Sequence, residues 1–153
     1  MNELERLVAY LKIQYHNMTT LHRHLSGDPA WFSNHKQLGE WYGEIAEQLD
    51  YLAETAISLG YQEPGIKDAV LTFGGELLDA QPRGPEEAMS TAMGIMRGIA
   101  GMMQAAEAIA PASVTNKLQE FEDHWNIEGN YKIVHMLGGR PGRRPPVMED
   151  DDD

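Results

Sequence analysis

The chain has 153 residues, 42% hydrophobic and 24% charged, which suits one domain with its own core and excludes a largely disordered protein. It contains no cysteine, so a disulfide scaffold, an iron–sulfur cluster, a thiolate zinc site and a cysteine nucleophile are all excluded. Lys and Arg number 12 against 24 Asp and Glu, a formal net charge of −12 that suits cations better than a phosphate backbone.

From Asn2 to Ser26, the positions Leu4, Val8, Leu11, Tyr15, Met18 and Leu25 follow a 4-3-4-3 spacing whose missing step is His22. This predicts a helix with a narrow buried seam that passes through a histidine, ended by Gly27. Asp28 and Pro29 read as an N-cap and first-turn proline for a second helix over 29–59, with a seam of Leu38, Tyr42, Ile45, Leu49, Leu52, Ala56 and Leu59. Gly60 closes it. At 1.5 Å per residue that helix is on the order of 46 Å long, a bundle length.

Residues 61–83 hold Pro64, Gly65, Gly74, Gly75 and Pro82 and read as a crossover with one short helix near Ile66–Leu78. A third helix is expected from Pro85, with Glu86 and Glu87 in its first turn, to Ala110 before Pro111. Its Met- and Gly-rich stretch suggests close, adaptable packing. Ser113 is expected to cap a fourth helix that reaches about Leu137. The expected fold is all-α: a four-helix bundle over 1–139 with one long crossover, a connectivity found in ferritin-like folds. The segment 140–153 carries Arg140, Arg143, Arg144 and three prolines, then Glu149 to Asp153, and is expected to be a disordered tail.

The most apolar region, Ala88–Ala110, is interrupted by Arg97, Gln104 and Glu107 and does not read as a membrane span. Asn2, Glu3 and Glu5 do not read as a signal peptide, so a cytoplasmic protein is expected.

Four side chains stand out as candidate metal ligands: His22 and His35 flanking the first turn, and Asp50 and Glu54 one turn apart on the second helix. Taken singly, each histidine reads as a core residue and the acidic pair as a solvated stripe. Together they make an imidazole and carboxylate set without thiolate, suited to iron, manganese or zinc. His35 and Asp50 are 15 residues apart on one helix, roughly 22 Å, too far to share an ion within one chain. One site from all four therefore requires two antiparallel chains, the histidines from one and the carboxylates from the other, in a twofold dimer.

The run Leu21-His22-Arg23-His24-Leu25-Ser26-Gly27-Asp28-Pro29-Ala30-Trp31-Phe32-Ser33-Asn34-His35, with Asp50-Tyr51-Leu52-Ala53-Glu54 and Ser58-Leu59-Gly60, resembles the Dps-type miniferritins. The likeness covers about residues 15–60 and is weak beyond, where a faint similarity over Tyr131–Leu137 remains. It implies that His35, Asp50, Glu54 and one histidine of the first helix are ferroxidase ligands shared across a dimer interface. It also implies a dodecameric hollow shell that oxidises Fe(II) with peroxide or O2, stores the ferric mineral and limits oxidative damage. The turn has one residue more than the family pattern, Asp28, so the first histidine aligns as His22 or His24, about 200° apart on a helix. His22 keeps its distance to Gly27 and is the one taken.

Two other readings accompany this one: a ferritin-like structural bundle without turnover, and a bundle holding zinc or manganese at the same ligands. No Glu-x-x-His motif is present, which disfavours a di-iron site inside one bundle. His124 and His135 read as surface or interface histidines, and Glu120, Glu122 and Asp123 as a solvated face or the lining of a pore. DNA binding is expected to be weak, because five acids follow the tail arginines.

Overall fold

The computed structural model describes residues 1–27 and 30–138. The bundle is built from α1 (Glu3–His24), α2 (Trp31–Ser58), α3 (Ile66–Phe73), α4 (Pro85–Glu107), α5 (Ala112–Ile127) and α6 (Ile133–Met136). The expected tail over 140–153 and the Asp28–Pro29 helix start lie outside the described residues. None of the described helices is long and apolar enough to cross a membrane.

Helix α1 starts in a capping box: the Asn2 side chain accepts from the Glu5 N–H at 2.8 Å, and Glu5 accepts from the Asn2 N–H at 2.9 Å. The narrow seam expected for α1 is corrected by the structure. Ala9, Gln14, Asn17, Thr19 and Thr20 are buried together with the seam. The cause is the crossover, which lies along the far side of α1. There Ala9 and Ile13 pack against Ala69 and Phe73 in a small second core.

The polar residues of α1 hold that strap in place. Lys12 Nζ reaches the Pro64 carbonyl at 2.6 Å and Glu63 at 2.7 Å. Asn17 donates to the Glu76 carbonyl and accepts from the Leu78 N–H, both at 3.0 Å. Leu25 and Arg83 then form a single bridge, with Ser26 N–H donating to Arg83 O at 2.8 Å, so the crossover ends against the end of α1.

Three boundaries differ from expectation. The crossover helix stops at Phe73 and a 3₁₀ turn, Gly74–Glu76, follows, because paired glycines favour a break. Helix α2 is preceded at its N-cap by Ala30, which offers no side-chain cap. Helix α5 starts two residues earlier than a Ser113 cap would place it: extended Pro111 is the N-cap, and its carbonyl accepts from Val114 and Thr115 N–H. Gly60, at φ +83, ends α2, with Tyr61 N–H returning to Ala56 O at 2.9 Å.

Helix α1 packs against α2 and α4, and α4 against α5, whereas the α2 and α5 backbones stay apart. Two fully buried tryptophans fill the space between them. Trp41 of α2 donates to Glu128 at 2.8 Å, and Trp125 of α5 donates back to Gln48 of α2 at 2.6 Å. The last helix does not run straight to Leu137. A π-turn, Glu128–Lys132, separates α5 from α6 and seats Gly129 on α4, where a Cβ would come within 3.3 Å of Met96.

The α4–α5 hairpin brings the carboxyl groups of Glu107 and Glu122 together. Glu122 is pushed up to about 7, first by its hydrogen bond to Glu107 and then by burial and by the Glu107 and Asp123 charges. Glu107 Oε2 is buried without a donor among the described residues, which a proton on Glu122 supplies. Because the folded value lies above the ordinary 4.5, the stability from this pair is present in full below pH 4.5 and is lost as pH rises through about 7. Glu122→Gln is expected to raise Tm by a few degrees at pH 8, about 1 kcal/mol after solvent screening, and to leave it unchanged at pH 5. Thermal melts at both pH values check this; equal shifts at the two would refute a shared proton.

Candidate metal centre

The end of α1 and the start of α2 bring His22 and His35 face to face, with ring centroids 3.8 Å apart and planes 21° from parallel. The pair is reciprocal. His22 Nδ1 lies 2.8 Å from His35 O, and His35 Nδ1 lies 3.0 Å from His22 O. A carbonyl oxygen can only accept, so each Nδ1 carries the hydrogen, and the neutral form of each ring has its lone pair on Nε2. That is the arrangement in which a backbone carbonyl orients a metal-binding imidazole.

Aromatic side chains clamp the stack from both ends. Trp31 stacks on His35 at 4.3 Å and donates to the Leu25 carbonyl at 2.8 Å, while Tyr42 meets His22 edge-on at 5.2 Å. Gly39 makes the room: a Cβ there would lie 3.0 Å from His22 Cε1. Burial pushes the His22 imidazole below its ordinary value; the His35 carbonyl opposes this and the nearby His35 and Arg23 charges add to it. The structure thus pairs His22 with His35. His24 takes no part in the stack, and its backbone carbonyl accepts from Arg83 N–H at 3.1 Å.

Asp50 and Glu54 are exposed on α2, over a shallow cavity whose apolar floor includes Leu49, Ala53 and Ile57. Glu54 is raised above the ordinary glutamate range, first by the Asp50 charge and then by a hydrogen bond to Asp50. A bound cation would relieve that repulsion. Within one chain the histidines and these carboxylates do not form one cluster, in keeping with their spacing along α2.

Among the described residues, one group does place three possible ligand atoms within 4.8 Å of one another: Glu44 of α2, His124 of α5 and Glu128 of the π-turn. Sequence reading missed it, because Glu44 and His124 are 80 positions apart. The usable signal was the one-turn spacing of His124 and Glu128. His124 is therefore not a plain surface histidine. Its Nε2 sits 3.2 Å from Glu44 Oε1, and the Glu44 contact raises its pKa against the effect of burial. His135, in contrast, is half-buried and packs edge-on against Tyr131 at 4.8 Å.

No family model matches this sequence, and no curated protein does. Solved structures define the class of fold, a ferritin-like four-helix bundle, and within it the Dps-type miniferritin fold. Antigen TpF1 of Treponema pallidum is 18% identical, with 88% of each chain covered and a TM-score of 0.82. Dps of Staphylococcus aureus is 19% identical over 88% of this chain and 92% of its own, at a TM-score of 0.74. Dps of Listeria monocytogenes is 18% identical over 94% and 97%, at 0.76.

Proposed function

We propose that this protein is a Dps-like iron-handling protein that oxidises Fe(II) at sites shared between subunits and stores Fe(III) within a dodecameric shell. The observation that carries the reading is the reciprocal His22–His35 pair, which spends both Nδ1 hydrogens on backbone carbonyls and leaves both Nε2 lone pairs for a metal. His22 and His35 of one chain act with Asp50 and Glu54 of its twofold partner. Glu54 is suited to bridging two ions, as the acidic neighbour Asp50 already crowds it.

Exposed apolar side chains support the pairing. Phe32 is 75% exposed beside the histidines and Ile57 56% exposed beside the carboxylates, so a twofold contact that joins the two halves also covers both. In the reaction, two Fe(II) ions each give one electron to a peroxide, whose oxygens leave as water after taking up protons. The four side chains hold the ions and leave coordination positions for oxidant and water. O2 is the other oxidant of the same chemistry, and a cytoplasmic location belongs to this reading.

Listeria innocua Dps has been solved after soaking with cobalt, and a divalent ion of that kind is a convenient stand-in for Fe(II) here. DNA affinity is expected to be weak, since the chain carries a formal net charge of −12.

Size-exclusion chromatography with light scattering tests the assembly on which the shared site depends. A particle of about twelve chains is expected. A stable monomer at micromolar concentration would exclude both the shared site and storage.

A further inference from the structure

We infer that Glu44, His124 and Glu128 form a second divalent-metal site, complete within one chain, that ties α2 to the end of α5. The three ligand atoms lie within 4.8 Å of one another. Donors on one ion, at bonds of about 2.1 Å, are at most about 4.2 Å apart, so small side-chain adjustments close the site. One imidazole with two carboxylates suits a first-row transition ion such as Fe(II), Co(II), Mn(II) or Zn(II), and is less suited to Ca(II) or Mg(II), which prefer oxygen alone.

Two observations beyond proximity point to a ligand. First, His124 Nε2 is buried and makes no well-aligned hydrogen bond, although Glu44 Oε1 is only 3.2 Å away. That misaligned contact is a poor substitute for a full hydrogen bond, and a metal ion between the two would satisfy both. Second, Glu128 is a buried carboxylate, 9% exposed, placed by the core. Fully buried Trp41 donates to its Oε1 at 2.8 Å, and Lys132 lies 3.4 Å from the same oxygen. Both contacts fall on Oε1, so Oε2 takes neither. This is how an outer contact orients a carboxylate toward a metal.

The surroundings favour a cation. Glu40 and Glu47 line the same groove, against the single cation Lys132, whose side chain is 44% exposed. Gly43 leaves the groove open beside Glu44, where a Cβ would meet nothing. Three protein ligands facing an open groove leave a coordination position for water or a further ion. Since α2 and α5 meet through side chains and not through close backbone packing, an ion here would also brace that helix pair.

The site needs no partner chain, so its test is independent of the shared site. Cobalt(II) is titrated into the full-length protein carrying His22→Ala and His35→Ala, with the bound ions counted per chain after dialysis. One ion per chain is expected in this background, with one imidazole nitrogen and carboxylate oxygens in its X-ray absorption spectrum. Adding Glu44→Gln, at a half-exposed position, is expected to weaken that binding about tenfold or more, as is His124→Gln. Folding of each variant is checked by circular dichroism. No bound ion in the background protein, an all-oxygen shell, or unchanged affinity in folded Glu44→Gln would overturn the proposal. Failure of the shared ferroxidase site would leave this result untouched.

Discussion

Two inactive chains are expected to restore each other. One carries His22→Ala with His35→Ala, the other Asp50→Ala with Glu54→Ala, and each alone is expected to oxidise Fe(II) at least about tenfold more slowly than the natural chain. When the two are co-expressed, a mixed twofold pair has one site without any of the four ligands and one site with all four. Random pairing makes about half of the pairs mixed, so the mixture is expected to recover about a quarter of the natural rate. The physical basis is the length of α2, which separates the stacked histidines at its start from Asp50 and Glu54 in its later turns. Fe(II) oxidation followed by absorbance reads the outcome. A mixture that stays at the rate of its parents refutes a site shared in this way.

The largest stability effect is expected at Trp125. Trp125→Ala should cost about 3–5 kcal/mol, as expected for emptying a fully buried aromatic position, and lower Tm by about 10 °C. The side chain has no exposed surface and fills the interval that the α2 and α5 backbones leave open. Its loss also strands Gln48, which is 7% exposed and accepts the indole N–H at 2.6 Å. Trp125→Phe keeps most of the volume and removes only the donor, so it is expected to cost less than half as much. Chemical denaturation at fixed chain concentration measures both. A loss below about 1 kcal/mol for the alanine variant would show that α2 and α5 collapse onto the vacancy.

Helix number, the crossover and the cut at Gly60 were legible in the sequence because each rests on local chemistry: apolar spacing, Pro and Gly placement, and charge in a first turn. That a histidine of α1 comes to the height of His35 followed from two helices joined by one short turn. The breadth of burial on α1 was not legible. Gln14 and Asn17 look like solvent-facing positions until the crossover lies over them and Asn17 bonds to Glu76 and Leu78. The glycine at position 39 within α2 is explained only by the His22 ring beside it. That the His22 ring, and not His24, stacks on His35 also needed the fold, since chain spacing admits both.

The opening composition keeps its meaning and gains a location. An acidic chain without cysteine must build any metal site from imidazole and carboxylate, and that much the sequence determines by itself. It also determines that His35 and Asp50 cannot meet in one chain, because the rise of a helix is fixed. Which distant residues meet is decided only in three dimensions. Glu44, His124 and Glu128 come together because two tryptophans set the gap between α2 and α5 and a π-turn swings Glu128 against Trp41. Such a contact depends on side-chain volume and on the register between helices, and neither leaves a mark at fixed spacing along the chain.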